Sequence, residues 1–238
     1  MKSSLLFQVG PVSALSVDPP SVPGPETYRF KAQRRAIRTF TRIHLIGTGR
    51  LSVRTGKTPA LYIKTEARLL PFVHTEILRG CLILALRPGL DTEKSIPLEY
   101  VATVPHLQSL LVAGCGEARS IGGPVRGEKL VLSVNGSGSI DLSVDVPLLE
   151  ARVEGSGQIS AGGRGDTVKA VVDGAGSVDV RGIPARSVSA RVHGAGDVIT
   201  DAADHLEVTI SGSGTLRYRG APRLECRVKG SGRICSVG

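Results

Sequence analysis

The fold is decided by a segment that recurs at a nearly constant interval: LVLSVNGSGSI at residues 130–140, LEARVEGSGQI at 149–159 and VKAVVDGAGSV at 168–178. Apolar and polar residues alternate in each copy, and a Gly-small-Gly triplet follows the third apolar position. This period of two predicts β-strands with one buried and one solvated face. Because the parity continues through the triplet, we expect both glycines on the buried face, where they leave room in a narrow interior and allow a bend.

The triplet recurs along the whole second half of the chain. From Gly114 onwards, successive first glycines are separated by 22, 19, 19, 20, 18 and 18 residues, and a separate copy is Gly47-Thr48-Gly49. One such unit cannot bury its own apolar face, so successive units must stack as coils. We expect the bends to be formed by Gly136, Gly138, Gly155, Gly157, Gly174, Gly176, Gly194, Gly196, Gly212, Gly214, Gly230 and Gly232.

These repeats predict an all-β protein with a single domain, a parallel β-helix (solenoid) of about 18–22-residue coils with Gly-small-Gly bends. A propeller needs longer repeats, and an antiparallel sandwich would not keep equivalent residues at near-constant steps. The coils should follow one another at the roughly 4.8 Å spacing of a sheet, with Val, Leu and Ile in columns along the axis. The two open ends must then be capped or shared with another chain.

The first part of the chain is less regular. Residues 1–35 are expected to be a leader or linker, disordered or including a signal peptide, because an uncharged run follows Lys2 and several prolines follow that run. Residues 36–238 are assigned to the β-helix, with irregular first coils at 36–106 and the regular glycine-triplet repeats at 107–238. We expect longer loops and a cap in the irregular part.

Beyond the triplets, five segments carry a family signature: Ile37–Ile43, Leu45–Gly49, Leu69–Ile77, Gly80–Leu84 and Val104–Leu107. Together with the ordered triplets, they make the chain similar to the head GIN domain of putative autotransporter adhesins, a domain of unknown function. The resemblance covers roughly the whole of the assigned β-helix. It implies a β-helical fold, a bacterial cell-envelope, periplasmic or extracellular location, and a role in adhesion or carbohydrate recognition. It supplies no catalytic residues.

The chain is basic, with 30 Lys and Arg against 21 Asp and Glu and a formal net charge of +9. This excess leaves an anionic polysaccharide, lipopolysaccharide, a membrane surface and nucleic acid open as partners. For an adhesin-like module, we expect an anionic polysaccharide or another surface protein. Arginine recurs in every second coil at one outward position ahead of the triplets, as Arg152, Arg191 and Arg227, about 10 Å apart if the coils are in register. With Arg217 and Lys229 nearby, these are the candidate ligand-binding residues. The alternative is a solvated strand face, and the scarcity of aromatic residues argues against specific nucleic acid binding.

Catalytic, cofactor and metal sites are not expected. The position that completes a dinucleotide-binding fingerprint is never glycine, and the five histidines lack metal-ligand spacing. A polysaccharide-active enzyme is the remaining catalytic alternative, because Asp141 and Asp179 occupy equivalent outward positions two coils apart, near the upper separation for an inverting pair. Parity places Cys226 inward and Cys235 outward, which disfavours a disulfide between them.

Two non-catalytic functions are compatible with these expectations. The first is a cell-envelope or surface module that binds its ligand as an adhesin does, through the faces of the solenoid. The second is an intracellular structural scaffold, located in the cytoplasm, that forms homo-oligomers end to end through its open coil ends or through its faces. Sizing at different protein concentrations tests the second function, because only an assembling protein changes its mass.

Overall fold

A computed structural model describes residues 29–87 and 97–237, and the expected leader up to residue 28 lies outside the described residues. The irregular part contains a short 3-10 helix, Leu70–Phe72, and the strands β1 (Phe30–Arg35), β2 (Arg42–Gly47), β3 (Arg50–Thr55), β4 (Ala60–Glu66), β5 (Val73–Leu78), β6 (Cys81–Leu86) and β7 (Glu99–Val104). The regular part contains β8 (Ser109–Gly114), β9 (Glu117–Ser120), β10 (Val125–Arg126), β11 (Lys129–Gly136), β12 (Ser139–Asp145), β13 (Leu148–Gly155), β14 (Gln158–Arg164), β15 (Thr167–Gly174), β16 (Ser177–Gly194), β17 (Asp197–Gly212), β18 (Thr215–Arg219), β19 (Arg223–Gly230) and β20 (Arg233–Ser236).

The strands form two parallel ladders, which a glycine triplet joins in each regular coil. The first ladder holds the strands that precede a triplet, in the spatial order β6, β2, β8, β11, β13, β15, β16, β17, β19. The second holds those that follow, in the order β7, β3, β9, β12, β14, β16, β17, β18, β20. The long strands β16 and β17 contribute one part to each ladder. The prediction of a parallel β-helix is confirmed.

The core consists of aliphatic columns that run along the solenoid axis. Val134 lies opposite Val153, which lies opposite Val172, and all three side chains are fully buried. Equivalent residues stay opposite each other because every coil has the same inward alternation on both sides of its bend. The buried aromatic side chains among the described residues are Phe40 and Tyr100, and both belong to the irregular part.

The two glycines of a triplet have different roles. The second glycine is buried, and a Cβ on Gly157 would lie 2.4 Å from Cγ1 of Val134 in the preceding coil. The first glycine is exposed in the same coil: Gly155 has a φ of +115°, and a Cβ there would lie 2.7 Å from the carbonyl oxygen of Gly136. The expectation that both glycines face inward is therefore wrong for the first one. That position requires glycine because of its positive φ and its backbone contact with the preceding bend.

Antiparallel strands close the first end of the solenoid. Strands β6 and β7 lie outside β2 and β3 in the stack, although they follow them in the sequence. Strands β5 and β4 then pair antiparallel with β6 and β7, and β1 pairs antiparallel with β4. The sheet thus begins at Phe30, ahead of the boundary expected at residue 36, because β1 extends the cap.

The other end of the solenoid has no such cover among residues 29–87 and 97–237. Strand β19 pairs with β17, β20 pairs with β18, and no described strand lies on their far edges. Leu224 and Val228, the last members of two core columns, are 38% and 41% exposed. Cys226 lies between them with the same inward parity, but because no further coil covers it, it is an exposed free thiol.

Candidate functional site

The arginine stripe predicted from the sequence is in register. Arg152 lies opposite Val171, which lies opposite Arg191, and Thr209 stands between Arg191 and Arg227 in the same way. Successive arginines are therefore two coil steps apart, about 10 Å at the usual strand spacing. The fold brings these three side chains onto the outer surface of the first ladder, and their role in binding remains a prediction.

Acidic neighbours neutralise Arg152. Its Nε lies 2.7 Å from Oε1 of Glu154, and its Nη2 lies 2.9 Å from Oδ2 of Asp173 in the next coil. Asp173 also contacts Nδ1 of His193 at 2.9 Å. The middle coils as a whole are acidic, since residues 139–204 carry ten Asp and Glu against six Lys and Arg. Arg152 therefore presents little net positive charge to a ligand.

The unpaired basic side chains of the stripe are Arg191, in the last of the middle coils, and Arg227, in the last coil, with Lys229 beside it. Arg191, Arg227 and Lys229 make no ion pair with any described residue, and Lys229 is the next outward residue after Arg227 on β19. Arg217 makes none either, but it lies on β18 in the second ladder, so the fold separates it from the stripe. Residues 205–237 carry six Lys and Arg against two Asp and Glu, which makes this end of the solenoid basic.

The largest concentration of positive charge lies elsewhere, in the cap and the coils beside it. Residues 29–87 contain 13 Lys and Arg and two Asp and Glu. Arg50, Lys64 and Arg68 pair with acidic side chains, and the other ten make no ion pair with a described residue. Nine of these ten are exposed: Arg29, Lys31, Arg34, Arg38, Arg42, Arg54, Lys57, Arg79 and Arg87. Sequence reasoning missed this surface, although the uneven distribution of charge along the chain would have revealed it.

Three arginines border a cleft beside β1. The cleft has a volume of about 650 Å³, and Arg34, Arg35 and Arg38 contribute to its wall. Arg35 is half-buried and donates from Nη2 to the carbonyl oxygen of Leu70 at 3.2 Å, while its buried Nε has no partner among the described residues. The guanidinium carbon of Arg34 lies 6.0 Å from the centre of the Tyr62 ring, within cation–π range. The cleft thus offers planar guanidinium donors to an anion.

The carboxylates considered for catalysis are in register but are not a free pair. Asp141 lies opposite Ser160, which lies opposite Asp179. Arg181 donates from Nε to Oδ1 and Oδ2 of Asp179 at 3.1 and 2.9 Å, and this hydrogen bond raises the pKa of Arg181. One of the two carboxylates is therefore engaged by a guanidinium group, and the two lie two coil steps apart, near the upper separation for an inverting pair. No group of three or more potential metal ligands occurs among residues 29–87 and 97–237.

The titratable groups whose pKa values are most affected by burial do not form a site. Burial raises the pKa of the Tyr100 hydroxyl and of the Cys81 thiol above their ordinary values. Burial, assisted by the charge of Arg42, lowers the pKa of His44. The Tyr100 hydroxyl lies among core side chains and has no hydrogen-bond partner among the described residues, which is consistent with packing rather than proton transfer.

Residues 39–222 match the family described as "Putative auto-transporter adhesin, head GIN domain". The chain belongs to this family. The matched region of this head GIN domain includes most of the cap strands and most of the regular coils, so the resemblance found in the sequence is confirmed. A search of curated proteins finds no match.

Solved structures of bacterial proteins share the fold of this head GIN domain. A putative adhesin from Bacteroides fragilis NCTC 9343 is 18% identical with a TM-score of 0.83, over 88% of this chain and 97% of that one. A putative lipid binding protein from Parabacteroides distasonis ATCC 8503 is 22% identical with a TM-score of 0.74, over 89% and 98%. A putative adhesin from Parabacteroides merdae ATCC 43184 is 19% identical with a TM-score of 0.73, over 89% and 98%. In the described part of the chain no helix has the length and apolar character needed to span a membrane.

Proposed function

We propose that this head GIN domain is a non-catalytic, adhesin-like module of the bacterial cell envelope or surface that binds an anionic polysaccharide. Its family description supports the adhesive role and the location, in the periplasm or outside the cell. The observation that carries the ligand class is the separation of charge along the solenoid. Residues 29–87 have 13 basic and two acidic side chains, whereas residues 139–204 have an excess of acidic ones. A surface of this kind attracts an anionic partner and holds it at one end of the molecule.

The cap provides the primary contact. Arg34 and Arg38 are exposed on the wall of the cleft, and guanidinium groups bind carboxylate or sulfate through paired hydrogen bonds. A polymer fits better than a small anion because exposed basic residues extend from β1 to Arg79 and Arg87 around the cap. Arg191, Arg227 and Lys229 offer a second, smaller basic surface towards the uncovered end of the solenoid. The few exposed aromatic side chains are consistent with recognition by charge more than by stacking on sugar rings.

The test measures binding of the full chain to heparin, to polygalacturonate and to neutral dextran at several salt concentrations. We expect binding to both acidic polymers that weakens as salt increases, and none to dextran. Changing Arg34, Arg38 and Lys57 to Gln removes three exposed charges that have no ion-pair partner among the described residues. Each exposed ionic contact contributes roughly 0.2–1 kcal/mol to binding, so the loss of three contacts should raise the dissociation constant about tenfold.

The matched control changes Arg152, Arg181 and Lys169 to Gln in the acidic middle coils, where acidic partners already neutralise them. Equal losses of affinity in the two triple variants would contradict the cap as the binding surface. Binding to dextran, or binding that salt does not affect, would contradict the ligand class. Binding to anionic lipid vesicles or to another surface protein, without binding to either acidic polymer, would replace the polysaccharide by that partner.

A further inference from the structure

The residue order of the last strand at the uncovered end of the solenoid is symmetric, and this symmetry indicates which partner binds there. Its last strand in the first ladder, β19, reads Leu224, Glu225, Cys226, Arg227, Val228, with an apolar and a charged residue on each side of the central cysteine. Leu224, Cys226 and Val228 have core parity and are exposed. We propose that two copies of this chain dimerise through this end, by antiparallel pairing of β19 with its counterpart about a two-fold axis at Cys226.

The backbone N–H and C=O groups at the free edge of β19 have the alternation that this antiparallel pairing requires. In the first ladder the outward residues donate to the preceding coil, as the N–H of Val131 does to the carbonyl of Gln108 and that of Thr167 to Pro147. Because successive residues of a strand direct their backbone groups to opposite sides, the inward residues of the last coil direct theirs to the free edge. In the proposed register, Leu224, Cys226 and Val228 would each exchange both hydrogen bonds with the second copy.

The side chains are complementary in the same register. Leu224 would face Val228 of the second copy, so the apolar columns would continue across the interface. Glu225 would face Arg227 of the second copy on the outer surface, and opposite charges in directly opposed positions stabilise a strand pair. Arg223 would face Lys229 at the ends of the pairing, where Glu225, 3.5 Å from Nη2 of Arg223, offsets the repulsion.

The two ends of the solenoid are different enough to favour this closed dimer over a filament. The cap end is covered by antiparallel strands, and its edge strands are β5, which carries His74 and Glu76 beside the first ladder, and β1, which carries Lys31, Arg34 and Arg35 beside the second. Charged edge strands disfavour edge-to-edge pairing. The proposed contact instead joins two uncovered strands whose facing residues, Glu225 and Arg227, have opposite charges, and it places the two caps at opposite poles. The inference does not depend on the ligand of the cap.

The first experiment combines sedimentation velocity with thiol crosslinking of the full chain. Changing Cys115 and Cys235 to Ser leaves Cys226 as the exposed thiol, with Cys81 buried. We expect a concentration-dependent dimer of twice the 24.9 kDa chain mass, which mild oxidation traps as a disulfide between the two Cys226 residues. The Cα atoms of the two Cys226 residues would lie about 5.5 Å apart in a hydrogen-bonded pair. Changing Cys226 to Ser as well should abolish the crosslink and retain the dimer.

The second experiment tests the register by charge reversal. Glu225→Lys places a lysine opposite Arg227 of the second copy twice in the dimer, so the dissociation constant should rise at least about tenfold. Adding Arg227→Glu restores opposite charges in both pairs and should recover the dimer. A matched control is Glu207→Lys, the equivalent outward position one coil earlier, which should leave the dimer unchanged.

The proposal is overturned by several results. A monomer at every protein concentration would exclude the dimer. A dimer that persists in Glu225→Lys, or that is not recovered by Arg227→Glu, would exclude this register. Assemblies that grow beyond a dimer would indicate head-to-tail stacking. A monomer whose Cys226 thiol is protected from labelling would show that another segment of the chain, such as residues 1–28, covers this end. Far-UV circular dichroism and the Tm of each variant establish that it is folded.

Discussion

Gly157 and Val134 share one small volume between two successive coils, because a Cβ on Gly157 would lie 2.4 Å from Cγ1 of Val134. The same Cβ would lie 2.6 Å from the carbonyl oxygen of Gly138, which belongs to the preceding bend and cannot rotate away. The spacing between coils is thus set at the bends by the absence of a side chain. This relationship repeats in the next coils, where Gly176 meets Val153 in the same way.

We therefore expect Gly157→Ala to destabilise the domain by about 1–3 kcal/mol, the usual effect of overpacking a rigid core. Chemical denaturation measures this change in the free energy of unfolding. Ser156→Ala is the control, because residue 156 is the exposed middle member of the same triplet and its substitution should change stability by less than about 0.5 kcal/mol. Equal effects of the two substitutions would contradict the packing role of the second glycine.

The members of one core column should contribute unequally to the stability of the domain, because the last member is covered on one side only. Leu149 is fully buried between Leu130 and Val168, and Leu149→Ala should destabilise the domain by about 2–5 kcal/mol. Leu224 ends the same column with one covered side, so Leu224→Ala should cost less than about 1 kcal/mol. The comparison uses denaturant unfolding of the Glu225→Lys variant, in which a second copy should not cover Leu224. A cost at Leu224 as large as that at Leu149 would show that something else covers this end.

Arg152 and Arg191 provide a matched pair for the stripe, since they occupy one outward row two coils apart. Arg191→Gln should reduce the affinity for heparin about two- to fivefold, the range expected for one exposed ionic contact. Arg152→Gln should leave the affinity unchanged, because Glu154 and Asp173 already neutralise that guanidinium group. Titration of binding by fluorescence anisotropy distinguishes these outcomes. An unchanged affinity in Arg191→Gln would remove the stripe from the binding surface, and a larger effect at Arg152 would contradict its neutralisation by Glu154 and Asp173.

His44 should give the domain a specific pH dependence. Burial and the charge of Arg42 lower its pKa in the folded state below 6.5, the value expected in the unfolded chain. As the pH falls below 6.5, the unfolded chain therefore binds more protons than the folded chain. The stability that His44 contributes is fully present above pH 6.5, and it is lost as the pH falls through the pKa of the folded state. His44→Gln should reduce the loss of unfolding free energy between about pH 7.5 and about pH 5.5. An unchanged slope in this variant would show that other groups cause the dependence.

Much of the architecture was predictable because it depends on local periodicity. Alternation such as that from Leu149 to Val153, together with near-constant glycine steps, specifies inward side chains and parallel register without long-range information. The arginine row was predictable for the same reason, since equivalent positions in a repeat must stack.

Other features were not predictable, because they depend on contacts between residues far apart in the chain. The neutralisation of Arg152 depends on Asp173 in the next coil, and the exposure of Gly155 depends on a positive φ that parity does not reveal. The grouping of basic side chains around the cleft arises because β1 folds back onto β4.

By itself, the sequence of this head GIN domain determined a repeating coil, its inward face and the position of each bend. These follow from a period of two and from glycine, which act over a few residues. Only the tertiary structure decided that β6 and β7 lie outside β2 and β3, that β4 and β5 close this end, and that β19 leaves the other end open. End strands have no repeat to constrain them, so their order depends on which edges and apolar surfaces remain to be covered.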